Sequence, residues 1–471
     1  MRAESSTRGL RCACAWSARF PTSSSSARSS DMRDDRLAYI DQATFLSLRA
    51  TGQAQVVQLV WVYEHPLDHV GLKRFHENFG HGLAGRRIQR SPLPFGRHRW
   101  ISSTGPGCDL DVAEEPRPRE DLSDWIDERS QVPVDPETGP GWHLGVLPMT
   151  DGSTAVTLVA SHCLMDGLGL AQTLVEAITG SVREFDHPAP NARTRRQALA
   201  EDTRETLRGI GAAGRAMVAA VRLSRRRRDE TPPKPQRRHV GYPDELVVVP
   251  AISVVIDLGD WDRSAKRHRG NSHSLFAGFA AGLAHRMGRC RADGTVDLVL
   301  ALSDRTWEDT RANALRFAGV NVDPVRAAGD LSDARRDIRA AVAALRENPD
   351  ETFALQPLTP FIPRRAVRGL GATVFGPQPV SCSSVGELPE LGFQIDGTVA
   401  EHGYLRAVDQ NVRRRQIEGA GGQLVLVAGR VGGKMNIGVT AYEPGARNTK
   451  PRLRALAADV LAEFGISGEV L

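Results

Sequence analysis

Ser161-His-Cys-Leu-Met-Asp-Gly167 sets an imidazole four residues ahead of an Asp-Gly turn. Histidine suits proton transfer: its ordinary pKa of ~6.5 leaves it mostly neutral at working pH, and a positioned base typically contributes ~10²–10⁴-fold to a rate. Acyl transfer to a hydroxyl needs such a base, because a neutral hydroxyl is a poor nucleophile. His162 is therefore assigned as the general base, able to return the proton to the leaving group, with no metal and no covalent acyl-enzyme required. Asp166 is better read as structural: it would hold the turn through backbone donors or pair with an arginine of the second half, Arg305 in Ser303-Asp-Arg-Thr306 being the candidate. Gly167 would permit a tight exit into a helix, through positive φ or through close backbone approach. A strand-to-helix turn without chemistry is the competing reading of all three.

The flanks must position these groups. Thr154–Ala160 reads as a buried strand, and Leu168–Ile178 carries helix-spaced apolar residues, so His162 leaves a sheet where substrates can approach. Upstream, Val56–Tyr63 is β-rich and Leu72, Phe75 and Phe79 have helical spacing; strands are expected near 97–102 and 143–149. Downstream, Leu246–Ile256 reads as a strand interrupted at Pro250. Asn271 or Ser272 would cap a helix through Arg286, and Val296–Leu302 returns to strand. Strands near 379–386, 399–408, 423–431 and 433–441 precede a closing helix from about Pro451 to Phe464. The alternation gives an α/β chain with four segments: a leader over 1–32, a first half over 33–185 carrying the motif, a basic crossover over 186–243, and a second half over 244–471.

At 471 residues the chain is long for one core, and its net charge of +5 is unevenly spread. Residues 1–30 carry +4 and residues 193–239 carry +9, leaving −8 on the rest. The high sequence pI of about 9.0 thus comes from two appendages, and no general nucleic-acid footprint is indicated. The leader is rich in Ser and Arg and lacks the apolar run of a secretory signal, so it is expected to be disordered, with Met32 resembling a natural start. Cys12, Cys14, Cys108, Cys163, Cys290 and Cys382 form neither a disulfide framework nor a zinc pattern, which suits a reducing cytoplasm. Cys163 reads as a small packing residue in preference to a thiol nucleophile.

Between the halves, Leu207, Ile210, Met217, Val218 and Val221 form a helical stripe beside Arg208, Arg215 and Arg222, followed by Arg225–Arg228 and the breaker Thr231-Pro-Pro-Lys-Pro235. Peripheral contact with an anionic membrane or a lipid droplet is one reading. A solvated crossover helix packed on its own domain is the other. No stretch is long and apolar enough to span a bilayer.

The motif, with Ile40-Asp-Gln-Ala-Thr-Phe45, Trp142–Pro148 and Ser381-Cys-Ser-Ser-Val-Gly386, resembles the CoA-dependent acyltransferase superfamily. Within it the chain resembles bacterial wax ester synthase/diacylglycerol acyltransferase-like and condensation-domain-like proteins, over most of residues 36–470. The resemblance implies two chloramphenicol-acetyltransferase-like halves with mixed sheets around a central channel. It implies acyl-CoA or a carrier-protein thioester as donor and co-substrate with no bound cofactor, and a lipid alcohol or diacylglycerol as acceptor. Transfer to an amine or a polyketide hydroxyl, and a non-catalytic acyl-binding homologue, stand as alternatives. Ser383 and Ser384 fall where the family lines its channel and could donate hydrogen bonds to the thioester oxygen. Two departures stand out: Ser161 replaces the first of two adjacent histidines, and Ser384 replaces the asparagine of a Ser-Asn-Val pattern.

Three other features carry less weight. Gly429-Arg-Val-Gly-Gly-Lys434 lacks a complete phosphate-loop pattern and reads as a hairpin turn. His273 and His285 are too far apart for paired ligation. His98, between Arg97 and Arg99, belongs to a basic cluster of the kind that is usually solvated.

Overall fold

A computed structural model describes residues 35–228, 244–347, 353–363 and 379–471. The leader with Cys12 and Cys14, and the breaker at 231–235, lie outside the described residues.

Two mixed sheets organise the chain. The first contains β1 (Ala54–Tyr63), β4 (Asp111–Val112), β5 (Trp142–Pro148) and β6 (Thr154–Ser161), with β2 (Arg86–Gln89) and β3 (Arg99–Ser102) forming a separate ribbon. The second contains β7 (Ala251–Asp257), β8 (Val296–Ser303), β9 (Leu315–Val322), β10 (Val380–Glu387), β12 (Gln423–Val431), β13 (Lys434–Tyr442) and β14 (Glu469–Val470). The remaining strand, β11 (His402–Gln410), arises in the second half yet pairs with β1 from Ala54↔Gln410 to Val62↔His402. The first sheet therefore has the order β11-β1-β6-β5-β4, and a strand of one half completes the sheet of the other.

Every residue of β6 is buried, as an interior strand flanked by β1 and β5 must be. Helices α1 (Tyr39–Thr51), α2 (His69–Phe79), α3 (Leu122–Ser130) and α4 (Gly167–Thr179) accompany this sheet. The second sheet packs beneath α7 (Ser272–Arg286), which follows α6 (Leu258–Arg267). Asn271 caps α7 with a reciprocal capping box to Ser274, and the small residues from Ala277 to Gly282 let the helix sit close: a Cβ on Gly278 would meet Leu331 Cδ2 at 2.8 Å. The hairpin turn expected over Gly429–Lys434 is a two-residue loop, Gly432 and Gly433 at positive φ, with Gly429 and Arg430 still paired in β12. The strand expected from Leu246 begins only at Ala251, after Pro250, since proline cannot donate to a ladder.

The crossover helix α5 (Arg195–Arg228) docks through its first turns. Asp202 and Glu205 pair with Arg99, Glu205 also with Arg36, and Asp202 with Arg193. This corrects the solvated reading of the basic cluster around His98. Arg99 is an ion-pair hub, while His98 is buried, accepts a hydrogen bond from Ser91 N and meets Phe45 edge-on.

His143 on β5 gives the fold an acid sensitivity. Burial, with the Arg129 charge nearby, pushes its pKa down to about 4. Its folded pKa lies below the unfolded value, so the unfolded chain binds the proton first and stability falls as pH drops from about 6.5 toward 4. At pH 5 the loss from this residue is about 2 kcal/mol. Urea midpoints measured between pH 7 and 5 should fall less in His143→Gln than in the native chain.

Candidate functional site

The motif turn is fixed from several directions by its main chain. His162 N donates to Gln55 O at 2.9 Å, continuing the β1 ladder one residue past β6, and Leu164 N closes the turn on Ser161 O. The Ser161 hydroxyl accepts from Cys163 N at 3.3 Å. Ser161, in place of a first histidine, therefore serves the turn. Cys163 is buried in the apolar core, and that burial pushes its thiol up to about 12. It is a packing residue.

Asp166 is consumed by structure. It caps α4 by accepting from Gly169 N at 2.7 Å, and its other oxygen accepts from Ala314 N at 2.8 Å. Arg305 grips both carboxylate oxygens, Nε to Oδ1 at 3.1 Å and Nη2 to Oδ2 at 3.0 Å, with both side chains almost wholly buried. The arginine named from sequence is the partner observed. Gly167 is needed for space and not for positive φ, because a Cβ there would lie 2.6 Å from Val385 Cγ1. Gly167→Ala should destabilise the fold by about 1–3 kcal/mol through overpacking. Thermal unfolding of Gly167→Ala/Val385→Ala should show less loss than the two single changes added together.

Three residues without assigned roles complete the clasp. Asp41, within the Ile40–Phe45 segment, accepts from Ala312 N and Asn313 N at 3.0 and 2.8 Å, and Asn313 Nδ2 donates to His162 O at 3.2 Å. Burial raises the Asp41 pKa, opposed by Arg86. Arg86 is buried over Trp100 and donates to Leu164 O and Thr310 O at 3.1 and 2.6 Å; burial lowers its pKa to about 9. The loop from Asp304 to Ala314, supplied by the second half, is thereby bonded to the turn that carries His162.

The imidazole itself is half-buried, and neither ring nitrogen takes a hydrogen bond among the described residues. One polar group faces it across β1. Asp409 pairs in register with Gln55, whose carbonyl holds His162 N, so the three residues form one row across β11, β1 and the end of β6. Burial raises the Asp409 pKa while Gln423, Gln53 and the charge of His162 lower it; Gln423 Nε2 donates to its carboxylate at 2.7 Å. No local sequence signal marks Asp409, because its relation to His162 exists only through the crossed strand.

Ser383 and Ser384 are half-buried on β10, between β8 and β12, and the next residue, Val385, touches Gly167. The same strand thus reaches the motif turn. Two cavities lie along this sheet, and neither serine, nor His162, lines either of them. A narrow apolar slot of about 50 Å³ lies between β1, α4 and the segment after β10, lined by Leu59, Trp61, Leu174 and Phe393 among others. Beside it a cleft of about 800 Å³ carries Glu390, Glu401 and Glu469. Leu59 lies four residues along β1 from Gln55, which places the slot about 13 Å from the row of His162.

No protein-family model matches the chain, and no curated protein matches it. Solved structures do. The trichothecene 15-O-acetyltransferase TRI3 from Fusarium sporotrichioides aligns at TM-score 0.57 and 12% identity, covering 91% of this chain and 94% of that one. The first condensation domain of the CDA synthetase aligns at 0.54 and 13%, covering 94% and 100%. Polyketide synthase associated protein 5 from Mycobacterium tuberculosis aligns at 0.52 and 13%, covering 92% and 98%. The nonribosomal peptide synthetase FmoA3 also matches, at 0.54 and 17%, and the chain spans 46% of that longer protein; in another FmoA3 structure it spans 42%. The chain shares the fold of the CDA synthetase condensation domain and of the 15-O-acetyltransferase, in two sheet-containing halves. At such identities the likeness describes architecture, and substrates have to be argued from the site.

Proposed function

We propose that the chain transfers an acyl group from a thioester, on CoA or a carrier protein, to an acceptor hydroxyl, with His162 as general base. The carrying observation is the division of labour in the motif. Asp166 has both oxygens committed to α4, Ala314 and Arg305, whereas the His162 backbone is bonded at both its N–H and its carbonyl while its ring stays free of hydrogen bonds. A ring on a fixed backbone, left unbonded, is free to take a substrate proton.

In the step proposed, the acceptor O–H gives its proton to the imidazole as its oxygen bonds to the thioester carbonyl carbon. The carbonyl oxygen gains charge in the tetrahedral intermediate, where the Ser383 or Ser384 hydroxyl could donate to it. The C–S bond then breaks, and the imidazolium returns the proton to the thiolate, leaving ester and thiol. On the sequence resemblance, we place a lipid alcohol or diacylglycerol first among acceptors, with acyl-CoA as the donor.

Thiol release from a panel of acyl-CoAs and acyl-carrier thioesters, each offered long-chain alcohol, diacylglycerol or amine, tests the reading. Release that depends on an alcohol acceptor supports it. Release with amines alone would move the acceptor class, and thioester binding with no release under any pairing would make the protein an acyl-binding homologue.

A further inference from the structure

The stripe on α5 stands apart from the catalytic groups. Leu207, Ile210, Met217, Val218 and Val221 are 43–61% exposed, whereas Ala198, Asp202 and Ala216 on the same helix are buried. At 100° per residue the five apolar side chains fall within an arc of about 100°, and Ala216 falls opposite them. The helix is thus docked by one face and leaves its apolar face in solvent. Gly214, which falls within that arc, has no neighbour within 4 Å of a Cβ position, so nothing in the described structure packs on the helix there.

Charge identifies what would cover that face. From Thr206 to Arg228 the helix contains seven arginines and no acidic residue. Arg208, Arg215 and Arg222 recur every seven residues along one border of the apolar arc, and Arg225–Arg228 extend the basic run to the end of the helix. The acidic residues of α5, Glu201, Asp202 and Glu205, all lie in its N-terminal part, where each pairs with an arginine of the first half or of the segment before the helix. An apolar arc bordered by fixed positive charge fits the boundary between anionic headgroups and acyl chains. A second copy of the same surface would set arginine against arginine, and a nucleic acid would leave the apolar arc exposed.

We propose that the C-terminal two-thirds of α5 is a docking surface for an anionic lipid membrane, with Leu207, Ile210, Met217, Val218 and Val221 entering the interface and the arginines bound to lipid phosphates. The surface is independent of the acyl-transfer reading: it shares no residue with the motif turn, and docking is measured without turnover. It would bring the protein to a source of lipid substrates.

Vesicle flotation of the full chain tests it. At about 0.1 M salt, vesicles with about 30% phosphatidylglycerol in phosphatidylcholine should bind at least tenfold more protein than phosphatidylcholine alone, with release near 1 M salt. Leu207→Gln/Met217→Gln and Arg215→Gln/Arg222→Gln should each weaken binding about tenfold or more, while thiol release with a water-soluble acceptor stays unchanged. Equal or absent binding to both vesicle types, or unaltered binding by both variants, overturns the proposal. So does a vesicle-free dimer that Leu207→Gln/Met217→Gln breaks apart, which would show that a second copy occupies the stripe.

Discussion

Asp166→Ala is expected to destabilise the fold by about 3–5 kcal/mol, because it strands a buried guanidinium whose partner carboxylate is gone. Arg305 would keep only carbonyl acceptors, Asp309 O, Arg311 O and Ala312 O at 3.4, 3.0 and 2.8 Å. The same change leaves Gly169 N and Ala314 N without their acceptor. Removing both charges should cost less than the two single losses added, since no unpaired ion then remains buried. Urea midpoints of Asp166→Ala, Arg305→Met and the double variant measure this coupling. Additive losses would mean that the pair is not the clasp described. Activity should fall in all three, as a consequence of a loosened turn.

The second large effect is catalytic. His162→Ala should lower turnover by about 10²–10⁴-fold, the range for losing a positioned base. Stability should barely move, because the ring is half-buried and makes no hydrogen bond, while the backbone bonds to Gln55 and Asn313 survive the change. His162→Gln should behave as His162→Ala does, since an amide fills similar space without accepting the proton. The contrast with Asp166→Ala is the useful part: one variant stays folded and loses chemistry, the other loses chemistry by losing structure.

Local pattern carried much of this molecule. The apolar run before Ser161, the helix-spaced residues after Gly167 and the glycines at 432 and 433 state their conformations over a few residues, and the structure has a strand, a helix and a hairpin there. The pairing of Asp166 with Arg305 was legible because a buried carboxylate beside a turn needs a cation, and an arginine just after a predicted strand could supply one. The crossing of β11 was not legible. Its alternation matches any half-buried strand, and which sheet it joins depends on contacts more than 300 residues away along the chain, such as Val62↔His402. Asp409 inherits that silence, as its place near His162 follows from the crossing. Asn313 was equally mute, and Asp41, though within a segment that carried the resemblance, has a partner only once the loop after β8 folds back onto α1.

The acceptor-dependent release of thiol from an acyl thioester, compared between the native chain and His162→Ala at equal folded concentration, tests the central claim most directly. The account predicts release in the native protein only when an acceptor hydroxyl is present, and a loss of at least a hundredfold in the variant with its unfolding midpoint unchanged. Release at the native rate from a folded His162→Ala would contradict it, and would move the chemistry away from this turn.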